Sequence, residues 1–235
     1  FDHHYTNRIK GSFKGAFGEE PSAAGIIYAY YRDVLKRDYS EMVSAADKID
    51  AADLSLEEVL YPEKYDWVML SMTISNQNEP DETYWNRLVE LLRKHDMDGV
   101  LNDPVVKERC RVAVEENKQY KKILEENTRM QGPVAITDFR SFEKAPVGNR
   151  FLVYSLFPDA VVHLRIRYES SYRNMLALNV GHSIFNRNCH VNVGLLLSRF
   201  EGGGHPGAGA CRFHVSKTDT YLPEIVETLV RNEPI

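Results

Sequence analysis

The hydrophobic period of this chain changes near Met130–Gly132, and that change sets what the chain can fold into. Upstream, apolar residues recur at helical spacing. EEPSAAGIIYAYYRDVLKR reads as one helix, with a Pro-containing acidic start at Glu19–Ser22 and apolar positions at Ile26, Ile27, Tyr30, Tyr31, Val34 and Leu35. SEMVSAADKIDAADL reads as a second helix, acidic toward its end. DETYWNRLVELLRKH is a third, with Asp81 as its cap and basic residues in its last turn. YDWVMLSMTI is apolar almost throughout, which fits a buried strand and a buried helix equally. Asp103–Pro104 is an N-cap followed by proline at the first helical position, and it opens a long charged helix. Val106, Cys110, Ala113, Asn117, Tyr120 and Leu124 line one face of that helix, which reads as the link between two domains.

Downstream, VAITDF, RFLVYSL, AVVHLRIRY and NMLALNVGH are β-rich runs separated by Pro, Gly, Asn and Ser. VNVGLLLSRF reads as an apolar helix ahead of a glycine cluster. TDTYLPEIVETLVRN closes the chain as an amphipathic helix with Tyr221, Leu222, Ile225, Val226 and Leu229 on its apolar face. The expectation is an α/β chain in two domains: a helix-rich first half and a mixed sheet with helices in the second. Trp67 and Trp85 are assigned to the core.

Composition narrows the function classes. Hydrophobic residues make up 43% and charged residues 27%, the balance of a soluble globular protein. No apolar run reaches the roughly 18 residues a bilayer span needs, and the first residues lack the pattern of a secretory signal. Cys110, Cys189 and Cys211 are odd in number and far apart, which argues against a disulfide framework and a structural zinc site. A reducing, cytoplasmic environment is expected. The net charge of −5 argues against a generally basic nucleic-acid surface, but not against a local basic cleft. Arg165, Arg167, Arg173 and Arg187 fall in one short span, which suits a small anionic substrate better than long duplex DNA.

Two motifs carry chemistry. The chain opens FDHHYTNRIKG, with Asp2, His3 and His4 together. Where a strand ends and the chain bends, both imidazoles can reach one cleft. A neutral imidazole binds Mn²⁺, Fe²⁺, Co²⁺ or Zn²⁺, and a neighbouring carboxylate orients it or ligates as well. The second motif is RFEGGGHPGAGACRF, in which Gly202, Gly203, Gly204, Gly207 and Gly209 surround His205. Residues without a Cβ let the backbone approach a phosphate or ribose closely. The flanking Phe200 and AGACRF are apolar, so the segment reads as an ordered turn.

Taken together, the Asp-His-His start, EEPSAAGIIYAYY after it, and VGHSIFNRNCHVNVGLLLSRFEGGGHPGAGACRF far downstream resemble the DHH phosphoesterase superfamily with its C-terminal DHH-associated domain. The resemblance implies a DHH domain containing part of a parallel sheet over residues 1–103, a linker helix over 104–131, and a smaller mixed-sheet DHH-associated domain over 132–235. It also implies that two earlier metal motifs belong upstream of Phe1, so that the sequence starts inside the catalytic domain.

By that resemblance Asp2, His3 and His4 are catalytic. His3 is a metal ligand, Asp2 its orienter or a ligand itself, and His4 a phosphate contact. A further metal-site Asp is expected after the next helix. Asp47 is favoured and Asp50 is close behind, since the two share a helical face at i,i+3; Asp53 is the third choice. In the associated domain Gly203, Gly204 and His205 are expected to hold the phosphate end of the substrate, helped by Ser183, Asn186 and Arg187. HSIFNRN departs from the family's Ser/Arg/Ser-type turn, and Arg165 or Arg167 is an alternative phosphate contact, because alternate residues on a strand share a face.

The implied cofactor is a pair of Mn²⁺ ions, with Mg²⁺ or Co²⁺ as alternatives. The implied substrate is small and phosphorylated: a short single-stranded oligonucleotide, a cyclic-dinucleotide product, a bisphosphorylated nucleotide or inorganic polyphosphate, the last an exopolyphosphatase-like activity. The partner set includes no membrane, and a homodimer is compatible with it. Two other classes are weighed against the hydrolase, a non-catalytic nucleotide-binding protein and a single-strand exonuclease. The exonuclease wants a basic groove with stacking aromatics, which the acidic balance disfavours. His95, His163, His182, His190 and His214 are read as structural or surface residues, and Cys211 as packing.

Overall fold

The computed structural model describes residues 1–3, 11, 14–18, 20–75, 81–169 and 172–235. The chain divides into two compact units, Phe1–Ser71 and Met72–Ile235. The expected linker helix therefore lies wholly inside the second unit.

The first unit contains α1 (Ala23–Tyr31), α2 (Ser40–Asp50) and α3 (Leu56–Leu60), and α4 (Asp66–Ser75) crosses the division. The α1 helix is shorter than its periodicity suggests. Ser22, with an extended backbone, caps it by accepting from the Ala24 and Gly25 amides, so Glu20 and Pro21 precede the helix and form none of it. Val34 and Leu35 lie beyond its end and are exposed. Ser55 and Glu58 form a reciprocal capping box at the start of α3. YDWVMLSMTI resolves as helix, with Val68, Met69, Leu70 and Met72 buried. Among the described residues the β-pairing in this unit is one parallel bridge between Asp2 and Phe17.

The second unit begins with α5 (Glu82–Lys94), α6 (Met97–Leu101) and α7 (Pro104–Asn127). Asp81 caps α5 through the Tyr84 amide, and Asp103 caps α7 through those of Val105 and Val106. Both caps match the sequence reading. Trp85 does not match it. The buried face of α5 carries Tyr84 and Leu88, and the next position along, rotated by about 100°, leaves Trp85 37% exposed.

The sheet follows, with β1 (Thr128–Gln131), β2 (Val134–Asp138), β3 (Val162–Tyr168), β4 (Met175–His182), β5 (Gly202–His205) and β6 (Ala208–His214), in spatial order β1-β2-β3-β4-β6-β5. The β2–β3 pair runs parallel and its neighbours in the sheet are antiparallel. Between β2 and β3 sits α8 (Leu152–Leu156), where a strand is expected. Its Leu152, Val153 and Tyr154 are all buried, so the run shows no polar face to betray a helix. Two helices, α9 (Val193–Ser198) and α10 (Thr218–Arg231), cover one face of the sheet. That face supplies Val134, Ile136, Val162, Leu164, Ile166, Leu176, Leu178, Val180, Cys211 and Phe213 to the core, against Val193, Leu196, Leu197, Ile225 and Leu229 from the helices.

Period-2 alternation puts His163, Arg165 and Arg167 on the opposite face. His163 is partly buried there, its ring packed among neighbours. Its Nε2 lies 2.8 Å from the Thr137 hydroxyl, which is itself 2.7 Å from that of Thr128, and its ring meets Tyr154 edge-on. Burial, and secondarily the Arg165 charge, pull the His163 pKa down to about 3. The folded protein thus keeps this imidazole neutral while the unfolded chain binds a proton below about 6.5. Stability is therefore retained above pH 6.5 and falls between 6.5 and 3, with a slope of about 1.4 kcal/mol per pH unit from this group. Denaturant titrations of the wild type at about pH 7 and about pH 4.5 should show this slope, and His163→Gln should lose it. Equal acid sensitivity in the two proteins would remove His163 as its source.

Candidate functional site

Asp2 sits at its bridge to Phe17, and His3 follows directly. The His3 Nδ1 lies 3.0 Å from the Glu20 carbonyl oxygen, and its Nε2 lies 3.4 Å from Asp50 Oδ2. A carbonyl oxygen only accepts, so Nδ1 carries the proton. That leaves Nε2 directed at a carboxylate, an arrangement that calls for a proton or a cation at Nε2. Orientation of an imidazole by a bond from its far nitrogen to a backbone carbonyl is the usual support of a metal-ligating histidine.

Asp47 lies one turn before Asp50 on α2. Its Oδ1 accepts a 2.5 Å hydrogen bond from the Ser22 hydroxyl, the same hydroxyl that caps α1. The side chain at 47 is thereby fixed at the start of α1, and a Cβ on Gly25 would stand 3.3 Å from its Oδ1. The structure thus unites His3 with Asp50 directly and places Asp47 on the same helix, held by Ser22. Asp53 follows α2, with its amide on the Lys48 carbonyl. His4 lies outside the described residues. Sequence reasoning missed Ser22 and the Glu20 carbonyl. A serine before a run of small helix-forming residues is a legible N-cap signal, whereas a backbone acceptor has no sequence signal.

His3 and Asp50 offer one nitrogen and one oxygen donor, a mixture suited to first-row divalent cations. Among the described residues no three His, Cys, Asp or Glu side chains gather as a metal-ligand set. The donor chemistry of this pair is compatible with a divalent cation.

The glycine segment is a strand, where an ordered turn is expected. β5 pairs antiparallel with β6, and Pro206–Gly207 makes the turn between them. The three glycines differ in what they do. Gly202 and Gly204 admit no side chain, since a Cβ would come within 2.2 Å of the Ala210 carbonyl oxygen and 2.3 Å of the Ala208 one, and Gly204 has φ +149°. Gly203 is different: a Cβ there meets nothing within 4 Å. Packing requires glycine on either side but leaves open space above the middle position. Gly194 on α9 lets that helix lie against β5, where its Cβ would stand 2.3 Å from the Gly204 carbonyl oxygen. His205 is exposed beside Ala208.

Ser183, Asn186 and Arg187 form their own turn. The buried Ser183 hydroxyl accepts from the Phe185 and Asn186 amides, Asn186 Nδ2 donates to the Pro158 and Asp159 carbonyls, and Arg187 Nε donates to the Ile184 carbonyl. The Cys211 thiol is buried in the core, and burial pushes its pKa up to about 12, so packing is its role. His182 Nε2 donates to the Val191 carbonyl, and His214 caps the turn ahead of α10.

No family model matches the chain, and no curated protein does. Among solved structures, the pGpG-specific phosphodiesterase PggH from Vibrio cholerae superposes with a TM-score of 0.80 and 23% identity, over 99% of this chain and 79% of that one. A second, the DHH domain of a member of a ribosomal-protein family, has a TM-score of 0.41 and 15% identity, over 84% of this chain and 56% of that one. The fold assignment rests on the first. The chain shares the α/β fold of that phosphodiesterase, in keeping with the α/β class expected from its sequence. Among the described residues no helix is long and apolar enough to cross a membrane.

Proposed function

We propose that this protein is a metal-dependent phosphodiesterase of the DHH type that hydrolyses a small phosphorylated nucleotide. The observation that carries the reading is the near-complete superposition on a pGpG-specific phosphodiesterase, joined to the oriented His3–Asp50 pair in the Asp-His-His motif. In this reading His3 and Asp50 hold a divalent cation, Mn²⁺ first, and the Glu20 carbonyl fixes the imidazole for it. Asp47 positions the start of α1 through Ser22 and stands one helical turn from Asp50. When bound, such cations neutralise phosphoryl charge and acidify water near neutral pH. The overall reaction is addition of a water oxygen to phosphorus with cleavage of the P–O ester bond, and the departing alcohol takes the proton.

The β5 strand receives the phosphate end of the substrate at Gly203, where the backbone is bare and the space above it open. Gly203→Val tests this part. Its φ needs no glycine and its Cβ clashes with nothing, so the melting temperature should stay close to that of the wild type. KM should rise about tenfold with kcat little changed, since the substitution obstructs binding alone. Unchanged KM would remove Gly203 from the substrate site.

A further inference from the structure

The face of the sheet opposite the α9–α10 core carries an excess of positive charge. Strand register aligns Arg165, Asn179, Ala210 and Gly203 in one row across β3, β4, β6 and β5. The next row contains Arg167, Ala177 and Arg212. The row on the other side contains His163, Gly181, Ala208 and His205. Tyr154 covers Gly181 and Ala177 is buried, whereas the small residues at 203, 208 and 210 keep the β5–β6 end of this face low beside the three arginines.

Those arginines are poorly neutralised. Arg165 donates to the Asn179 side-chain oxygen at 3.2 Å and lies against the Tyr120 hydroxyl, both neutral partners. Arg167 donates to the Tyr168 carbonyl, a long contact at 3.5 Å. Arg212 pairs with Glu169 at 3.0 Å, and this carboxylate is the one acidic partner the trio has among the described residues. Burial, then the charges of Arg165 and Arg212, hold the Arg167 pKa below the usual arginine value, with Glu169 acting the other way. Gathering like charges, two of them (Arg165 and Arg167) part-buried and Arg212 exposed, costs folding free energy, and among the described residues Glu169 alone offsets it. An arginine fork matches phosphate oxygens in geometry as well as charge. Adjacent strands lie ~4.8 Å apart, so Arg165 and Gly203 are on the order of 14 Å apart across the row, room for a ligand with more than one phosphate.

We propose that Arg165, Arg167 and Arg212 form a second phosphate subsite on the sheet that bears Gly203, selecting a substrate with a terminal phosphate in addition to the scissile one. This rests on the functional reading above and adds what makes a substrate fit. The chemistry is that of a 5′-phosphorylated dinucleotide.

The test is equilibrium binding by calorimetry in EDTA, which removes metal and turnover from the readout. The probes are pGpG and GpG, which differ by the terminal phosphate. Wild type should bind pGpG about tenfold or more tightly than GpG. Arg167→Gln should lose that preference by weakening pGpG alone, and Arg212→Gln should do so more mildly. Arg167→Lys should recover part of it. Because Arg167 stands among like charges, Arg167→Gln should melt no lower than wild type; a merely structural arginine would lower the melting temperature and weaken both ligands together. Equal binding of both probes by wild type, absence of pGpG binding, or an unchanged preference in Arg167→Gln would each overturn the subsite. If the preference is lost as expected yet no divalent cation elicits hydrolysis, the subsite stands and the phosphodiesterase reading fails. If hydrolysis is normal and Arg167→Gln changes nothing, the reverse holds.

Discussion

Replacing His3 by alanine should lower Mn²⁺-stimulated phosphodiester hydrolysis by on the order of a thousandfold, a loss of ~4 kcal/mol of barrier reduction. The expectation follows from what holds the ring. Its proton is committed to the Glu20 carbonyl, and its other nitrogen faces Asp50. The Asp50 side chain is half exposed, and exposed ion pairs contribute little to stability. The pair is thus poorly explained as a structural brace, and His3→Ala should retain the wild-type circular dichroism spectrum and melting temperature. Asp50→Asn keeps the shape and one acceptor oxygen, so its effect should be smaller and partly recovered at high Mn²⁺. Normal turnover in His3→Ala would remove the metal assignment; loss of turnover with unfolding would assign His3 to the fold instead.

The largest expected stability effect is at Gly194. Glycine to alanine inside a helix usually stabilises by roughly 0.5–1 kcal/mol. Here the sign should reverse. A Cβ at 194 would come within 2.3 Å of the Gly204 carbonyl oxygen and 2.8 Å of its carbon, and these are backbone atoms that no rotamer change can move. Either α9 lifts from β5 or the hairpin shifts, and overpacking of this kind costs about 1–3 kcal/mol. A loss of about 3 kcal/mol in urea unfolding is expected, because Leu196 and Leu197 on the same helix are buried in the core and would move with it. Substrate binding should weaken in proportion to the displacement of β5. A Gly194→Ala protein as stable as the wild type would show that the helix and the glycine strand are not in this contact.

Several elements are legible in the sequence because their signals are local. Asp103–Pro104 announces α7, and the alternation in AVVHLRIRY announces β3 along with the face its arginines occupy. The α8 segment misleads because a short apolar run buried in the fold carries no period of either kind. The glycine strand reads as a turn because glycine has low strand propensity. Pairing with β6 and the close approach of α9 override that preference, and neither is local. The candidate site is legible in its residue types and not in its pairings. His3 and Asp50 can each be named from sequence, but that they meet, and that Glu20 presents a backbone oxygen to the far nitrogen, depends on the packing of α1 and α2. Arg212 carries no sequence signal for its role, because its alignment with Arg167 requires the β4–β6 register.

The central claim, a metal-dependent phosphodiesterase that uses His3, is tested most directly by the rate of GMP release from pGpG as Mn²⁺ is raised from zero in a chelator-treated sample of the protein. The predicted result is negligible release without metal, a saturable rise with Mn²⁺, and loss of that rise in His3→Ala. No release with Mn²⁺, Mg²⁺ or Co²⁺, or a rate indifferent to metal and to His3, would contradict it.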